Sequence, residues 1–351
     1  MTALDDIKMI HQRDKSDALG IAEKQHTQLR HVFEVDNSSI DFSAVKNIVY
    51  VGMGGSALAA ELFFSWPEKT VPFEIRKSYT APAHTGADTL VIASSYSGNT
   101  EETLSAFEDA RKKGAQLVVI TSGGELESLA NKHGAPVYKI PAGYQPRMAT
   151  LYGLRALATL FDGTALVTEK NLIVQLDAAA DSLEAAAKQL RPDVATKENF
   201  AKQLALELIG NSIVVYAGAA FYPAAYKWKI SFNENAKTVA WCNQYPEFNH
   251  NEFLGWTSHP VEKPYKVINL LSSFEHERVN LRFEISEKLL SGKKPAAEVV
   301  MAQGDSLLEQ LLWTVQLGDF VSLYVALLNG LDPTPVDIIE KLKQELKKAD
   351  G

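Results

Sequence analysis

Short β-branched runs recur along this chain, each ending near a glycine or hydroxyl residue and several followed by an amphipathic stretch. No other feature narrows the possible folds as much. Residues 48–51 run into Gly52 and then an Ala/Leu-rich stretch over about 56–66. Residues 73–76 form a weaker run, and 90–94 precede a helical pattern over about 100–113. Residues 117–121 precede one over about 125–133, and 137–140 precede one over roughly 148–162. Short strands alternating with helices of this length build parallel βαβ units, and five such strands make one doubly wound domain. The rhythm stops over 166–209, where two helices are expected at 172–190 and 197–209 with Pro192 between them. It restarts with a strand at 213–217 ending at Gly218, a helix over about 222–235, and strands at 267–271 and 298–301. Apolar helices over 306–330 and a charged helix from Thr334 close the chain. The expected fold is therefore α/β, with two doubly wound parallel-sheet domains of related topology. Residues 1–165 form the first, with a polar helical segment (1–36) packed on it. Residues 166–351 hold the helical crossover, the second sheet and the C-terminal helix.

The length of 351 residues fits this division, at about 150 residues per domain. Lys and Arg total 35 against 43 Asp and Glu, a net charge of −8. That balance argues against a nucleic-acid binder working by bulk charge, but a small anion needs only a local site. Cys242 is the single cysteine, which excludes an intramolecular disulfide and leaves no basis for a zinc–thiolate cluster. The first fifteen residues mix both charge signs without an apolar segment, unlike a signal peptide. Glu309 and Asp319 interrupt the apolar stretch 306–331 and leave 12 uncharged residues, too few to span a bilayer. A soluble, cytoplasmic protein is expected.

In an open parallel sheet, ligands sit beyond the carboxyl ends of the strands. After the first strand comes Gly52-Met53-Gly54-Gly55-Ser56. A dinucleotide fingerprint is conceivable there, with Ala57 in the third glycine's place and Glu74 as the ribose acid. After the third strand, Ser94, Ser95, Ser97 and Thr100 put four hydroxyls directly at a helix start. One hydroxyl is enough to cap a helix. Four suggest a phosphate held by neutral donors, free amides and the helix dipole. Arg147 stands alone in a loop, where an arginine is usually solvated surface. Residues 231–256 pack carboxylates, amides and His250 among aromatics. Glu234 and His250 there could serve as base and acid in an aldose–ketose interconversion; a polar connection with a buried Asn/Glu network reads equally well. Gly-x-Ser-x-Gly and His-Glu-x-x-His spacings do not occur.

Taken together, these segments resemble the sugar isomerase (SIS) superfamily, and more narrowly the bifunctional phosphoglucose/phosphomannose isomerases. The likeness rests on Gly-Met-Gly-Gly-Ser (52–56), Ser-Tyr-Ser-Gly-Asn-Thr (95–100), and Asn-Glu-Asn-Ala-Lys with Pro-Glu-Phe-Asn-His-Asn-Glu (233–252). Pro-Thr-Pro-Val-Asp with Lys-Leu-Lys (333–343) completes it. The resemblance implies that Gly55, Ser56, Ser95, Ser97 and Thr100 hold a sugar phosphate. It implies that Glu234 shuttles a proton between carbons 1 and 2 and that Arg147 stabilises the enediol(ate). It implies that His250 helps open the ring from the neighbouring subunit of a homodimer, that Lys341 contacts the ring region, and that Thr334 leaves room for rotation about the C2–C3 bond. No metal and no cofactor are implied, and no nucleic-acid or membrane partner. The rival expectations are a non-catalytic phosphosugar-binding protein and a nicotinamide-dependent oxidoreductase.

Overall fold

The computed structural model describes residues 2–258 and 263–349. Three short helices open the chain: α1 (Ile7–Arg13), α2 (Ala18–Glu23) and α3 (Gln25–Leu29). The first sheet and its helices follow as β1 (Asn47–Gly52), α4 (Leu58–Ser65), β2 (Phe73–Arg76), β3 (Thr89–Ser95), α5 (Glu101–Lys112), β4 (Gln116–Thr121), α6 (Gly124–His133), β5 (Val137–Lys139) and α7 (Thr150–Phe161). The crossover is α8 (Leu172–Leu190) and α9 (Phe200–Leu208). The second sheet is built from β6 (Ser212–Gly218), α10 (Tyr222–Glu234), β7 (Ala240–Tyr245), α11 (Glu252–Gly255), β8 (Tyr265–Leu271), α12 (Glu277–Leu289) and β9 (Ala297–Met301). Helices α13 (Leu307–Leu328) and α14 (Asp337–Ala349) end it.

All pairings within the two sheets are parallel, in the orders β2-β1-β3-β4-β5 and β7-β6-β8-β9. The four strands of the second sheet follow the same order as the first four of the first, which adds a fifth, so the expected related topology is what forms. Because side chains alternate across a strand, each sheet has two buried faces. Ile48 and Tyr50 of β1 join a large core that also takes in α7, α8, α10, α13 and the inner residues Ile213 and Val215 of β6. Val49 and Val51 face the other way, against Phe107 of α5 and Leu126 of α6. On the second sheet, Val214 and Tyr216 face outward with Phe283 of α12. One hydrophobic cluster thus runs from sheet to sheet through the helices between them.

Three details differ from the sequence reading. Residues 1–36 are not one helix on the first domain: Asp6 and Asp17 each cap a new short helix, and Asp14 accepts the amides of Ala18 and Leu19. This segment also reaches the later part of the chain, where Thr2 bonds Thr196 at 2.6 Å and Gln25 Nε2 donates to Asp319 of α13. Secondly, the Trp-Cys-Asn segment expected in a connection is strand β7. It is an edge strand with mostly half-exposed residues and an exposed Trp241, so it lacks the continuous apolar signal of a central parallel strand. Thirdly, the apolar stretch is one 22-residue helix, α13, which is long and apolar enough to cross a membrane by length and composition. In the fold, 89% of its most apolar window is buried. Asp319 is tolerated there because Lys227 and Ser231 meet one carboxylate oxygen and Gln25 the other.

Candidate active site

Gly52 at the end of β1 pairs with Ser94 at the end of β3, where the connections from these two strands leave in opposite directions. Ser56 follows in a 3-10 turn, and its Oγ accepts the amide of Tyr96 at 3.0 Å, joining the two loops. Ser95 Oγ and Thr100 Oγ1 are bonded to each other at 2.8 Å. Thr100 is the N-cap of α5, yet its side chain makes no cap bond. The first-turn amides of α5 therefore lack a side-chain acceptor, which is what an incoming anion needs. Ser97 Oγ accepts the amide of Asn99 at 3.3 Å. The loop is held from behind by the β4–α6 turn, with Leu126 N donating to Gly98 O and Glu125 N to Asn99 Oδ1. All five residues expected to hold phosphate thus stand on two linked loops.

Gly55 connects this cradle to Arg147. A Cβ at Gly55 would lie 2.5 Å from the Arg147 amide nitrogen and 2.7 Å from the Pro146 carbonyl carbon. Only glycine lets the 3-10 turn Pro146–Met148 sit this close. Arg147 is 1% exposed, not solvated surface. Its Nη1 pairs with Glu234 Oε2 at 3.0 Å and its Nε donates to Asn235 Oδ1 at 2.6 Å. Its Nη2 donates to the carbonyls of Pro333 and Thr334 at 2.9 and 3.1 Å. Burial pulls the guanidinium below its usual range, and Glu234 and Asp319 oppose that. Glu234 is the last residue of α10 and its side chain is 25% exposed, so the carboxylate stands at the edge of solvent beside a buried cation.

Lys237 closes the same corner. Its Nζ donates to the carbonyls of Glu234 (2.8 Å) and Asn235 (3.3 Å) on one side, and of Asp332 (3.3 Å) and Pro333 (3.0 Å) on the other. Burial and the nearby Arg147 both lower its pKa. Neither Asn235 nor Lys237 was singled out by sequence reasoning. Both stand in the Asn-Glu-Asn-Ala-Lys segment, but nothing in that string shows that Asn235 joins the side chains of Arg147 and Ser322, or that Lys237 reaches the carbonyls of Asp332 and Pro333. Thr334 enters through its carbonyl; its Oγ1 is buried without a hydrogen-bond partner among the described residues.

Two expected residues are not brought to this corner. Lys341 is exposed on α14 and makes no hydrogen bond or ion pair with a described residue. His250 is exposed at the end of the 3-10 turn Glu247–His250. Glu234 precedes β7 and His250 follows it, so they stand at opposite rims of the second sheet. A strand of this length spans about 17–20 Å, and His250 cannot reach Glu234 of its own chain across it.

The second sheet has a corresponding crevice between the ends of β6 and β8, and there the chain fills it. A Cβ on Gly218 would fall 1.9 Å from Glu275 Oε2. That carboxylate accepts the amide of Ala220 at 3.2 Å through Oε2 and of His276 at 3.1 Å through Oε1. Burial pushes the Glu275 carboxyl up, and those two amides hold it down.

An SIS domain model matches residues 41–139, and the model of the bacterial phospho-glucose isomerase C-terminal SIS domain matches 197–346. The fold is shared with a glucose-6-phosphate isomerase-like protein from Thermus thermophilus, at a TM-score of 0.67, 18% identity, and 98% and 99% of the two chains covered. With two parallel sheets of this connectivity and a hydroxyl loop at the first switch point, the chain is an SIS-domain protein. The bifunctional phosphoglucose/phosphomannose isomerase of Caldicellulosiruptor bescii is 35% identical over 91% of this chain and 96% of its own. That of Aquifex aeolicus is 34% identical over 90% and 95%. The chain belongs to this family of isomerases.

Proposed function

We propose that the protein interconverts glucose 6-phosphate and mannose 6-phosphate with fructose 6-phosphate. One observation carries the reading: a carboxylate at a solvent edge, Glu234, is paired with a buried guanidinium whose loop is packed onto a hydroxyl-lined cradle. Gly55, Ser56, Ser95, Ser97 and Thr100 would take the phosphate through hydroxyls and the free amides of α5. Glu234 would remove the proton from carbon 2 of the open-chain aldose and return it to carbon 1. Two electrons move with it inside the substrate, so the step balances without an external oxidant or reductant. Negative charge develops on the oxygens of a cis-enediol(ate), and Arg147 is already fixed beside it; such preorganised charge is where much of the rate comes from.

The rim-to-rim separation of Glu234 and His250 supports a site shared between two copies. In a soluble cytoplasmic homodimer, His250 of the partner subunit would reach this corner and assist ring opening. Lys341, on a helix that starts three residues after Thr334, would swing to the ring region when substrate binds. Thr334 would leave the space in which the C2–C3 bond rotates, so that one base serves both epimers.

The test is direct. Purified protein is expected to form fructose 6-phosphate from both aldose phosphates, undiminished by excess EDTA, as followed by proton NMR. Absence of turnover on either would overturn the reading and favour a phosphosugar-binding role. A relative from Sulfolobus acidocaldarius, 33% identical over 63% of this chain, is a D-glucosamine-6-phosphate 4-epimerase. Formation of a C4 epimer instead of the ketose, seen in the same spectra, would move the assignment toward that chemistry.

A further inference from the structure

Arginine carries five N–H donors. In Arg147, Nε gives its one to Asn235, Nη2 gives its two to Pro333 and Thr334, and Nη1 gives one to Glu234. Four are engaged. The fifth is on Nη1, the nitrogen already facing the Glu234 carboxylate. Where that N–H points depends on how the rest of the guanidinium is held, at Nη2 by two backbone carbonyls and at Nε by Asn235, the one side chain among these three acceptors.

Asn235 is itself held. It directly follows α10, but its side chain does not turn back to cap the helix. Its Nδ2 donates to Ser322 Oγ at 2.9 Å, and Ser322 Oγ donates to the Asp319 carbonyl at 3.0 Å, one turn earlier in α13. Asn235 and Ser322 are both buried. The amide orientation follows from its partners, since Arg147 can only donate and must face the amide oxygen. Charge matters as well as direction. Apart from Glu234, every acceptor on Arg147 is a neutral oxygen. The Asp319 carboxylate is turned to Lys227 and Ser231 instead. The three neutral acceptors thus fix the cation without adding a second negative charge to the one Glu234 brings.

We propose that Asn235, anchored by Ser322, is a positioning residue for the isomerisation. It holds Arg147 in the rotation that presents one Nη1 N–H beside Glu234, and it does so with a neutral acceptor. This rests on the reading of Glu234 and Arg147 as the base and its charge partner.

Steady-state kinetics on glucose 6-phosphate, corrected for folded fraction, tests it. Asn235→Ala is expected to lower kcat about 100-fold, the scale of a small misplacement at a reacting centre, with KM within about threefold because the phosphate cradle is untouched. Ser322→Ala, which leaves the acceptor in place but unanchored, is expected to lower kcat about tenfold with KM unchanged. Asn235→Asp keeps the size and the acceptor but puts a second carboxylate on Arg147; it is expected to lose kcat as Asn235→Ala does. A purely structural role would lower the melting temperature and leave kcat per folded site alone. Asn235→Ala with kcat within about twofold of wild type overturns the proposal, as does a loss confined to KM. If Asn235→Ala does not fold, a wild-type kcat in Ser322→Ala overturns it. Arg147→Ala separates the two levels. Full activity in that variant removes the underlying reading, whereas an inactive Arg147→Ala beside a fully active Asn235→Ala removes only the positioning role.

Discussion

Glu234→Gln is expected to lower kcat for both aldose phosphates by about 10²–10⁴-fold, the range that a positioned proton-transfer group supplies. Exchange of the carbon 2 proton with solvent deuterium, followed by NMR, should vanish in parallel. Glutamine keeps the side-chain length and an oxygen that can still accept from Arg147 Nη1. Arg147 also keeps its three neutral acceptors on Asn235, Pro333 and Thr334. The fold and the phosphate cradle should therefore survive, and fructose 6-phosphate should bind about as tightly as to the wild type. Binding retained with exchange lost is the signature of a missing base. Exchange that persists at near wild-type rate would show that another group moves the proton.

Mixing two inactive variants should restore activity. If each site takes Glu234 from one subunit and His250 from the other, Glu234→Gln and His250→Ala each damage every site of their own dimers. A mixed dimer is different: both lesions fall in one site, and the other site is intact. Random assortment makes half the dimers mixed, so re-equilibrated equimolar variants should regain about a quarter of wild-type activity. Each variant alone should stay near zero on the closed-ring sugar. Failure to regain activity, with subunit exchange shown by a mass-tagged chain, would place both residues' action within one chain or remove His250 from the chemistry. The separation of the two residues by the length of β7 is the physical reason to expect recovery.

Much of this architecture was legible from pattern. Central parallel strands are buried on both faces, so 48–51, 90–94, 117–121 and 213–217 announce themselves as continuous β-branched runs. Strand β7 did not, because an edge strand needs little apolar content and this one carries Asn243 and Gln244. The hydroxyl loop was visible as an excess of Ser and Thr at a helix start. How the hydroxyls are used was not: Thr100 looked like a cap and instead bonds Ser95. Arg147 was the least legible residue of the site. A single loop arginine has no periodic signal, and two of its four partners are backbone carbonyls, which leave no trace in residue type. What sets it apart is burial, a property of the fold alone. Residue type alone left Glu234 and His250 balanced between an acid–base pair and a polar connection, and only the family likeness favoured the first.

Glu275 bears on how many phosphosugars one chain would hold under the proposed function. Two sheets of related topology offer two crevices of the same kind, and a reader counting crevices would expect two phosphosugars per chain. At the second, however, the protein's own carboxylate lies against Gly218 and takes the Ala220 and His276 amides. An anion of the chain's own competes at a high effective concentration with a phosphate from solution. Saturation should therefore end at one equivalent per chain. On the proposed reading, the second half of the molecule would then contribute Glu234, the Pro333 and Thr334 carbonyls and His250 to a site whose phosphate is anchored in the first.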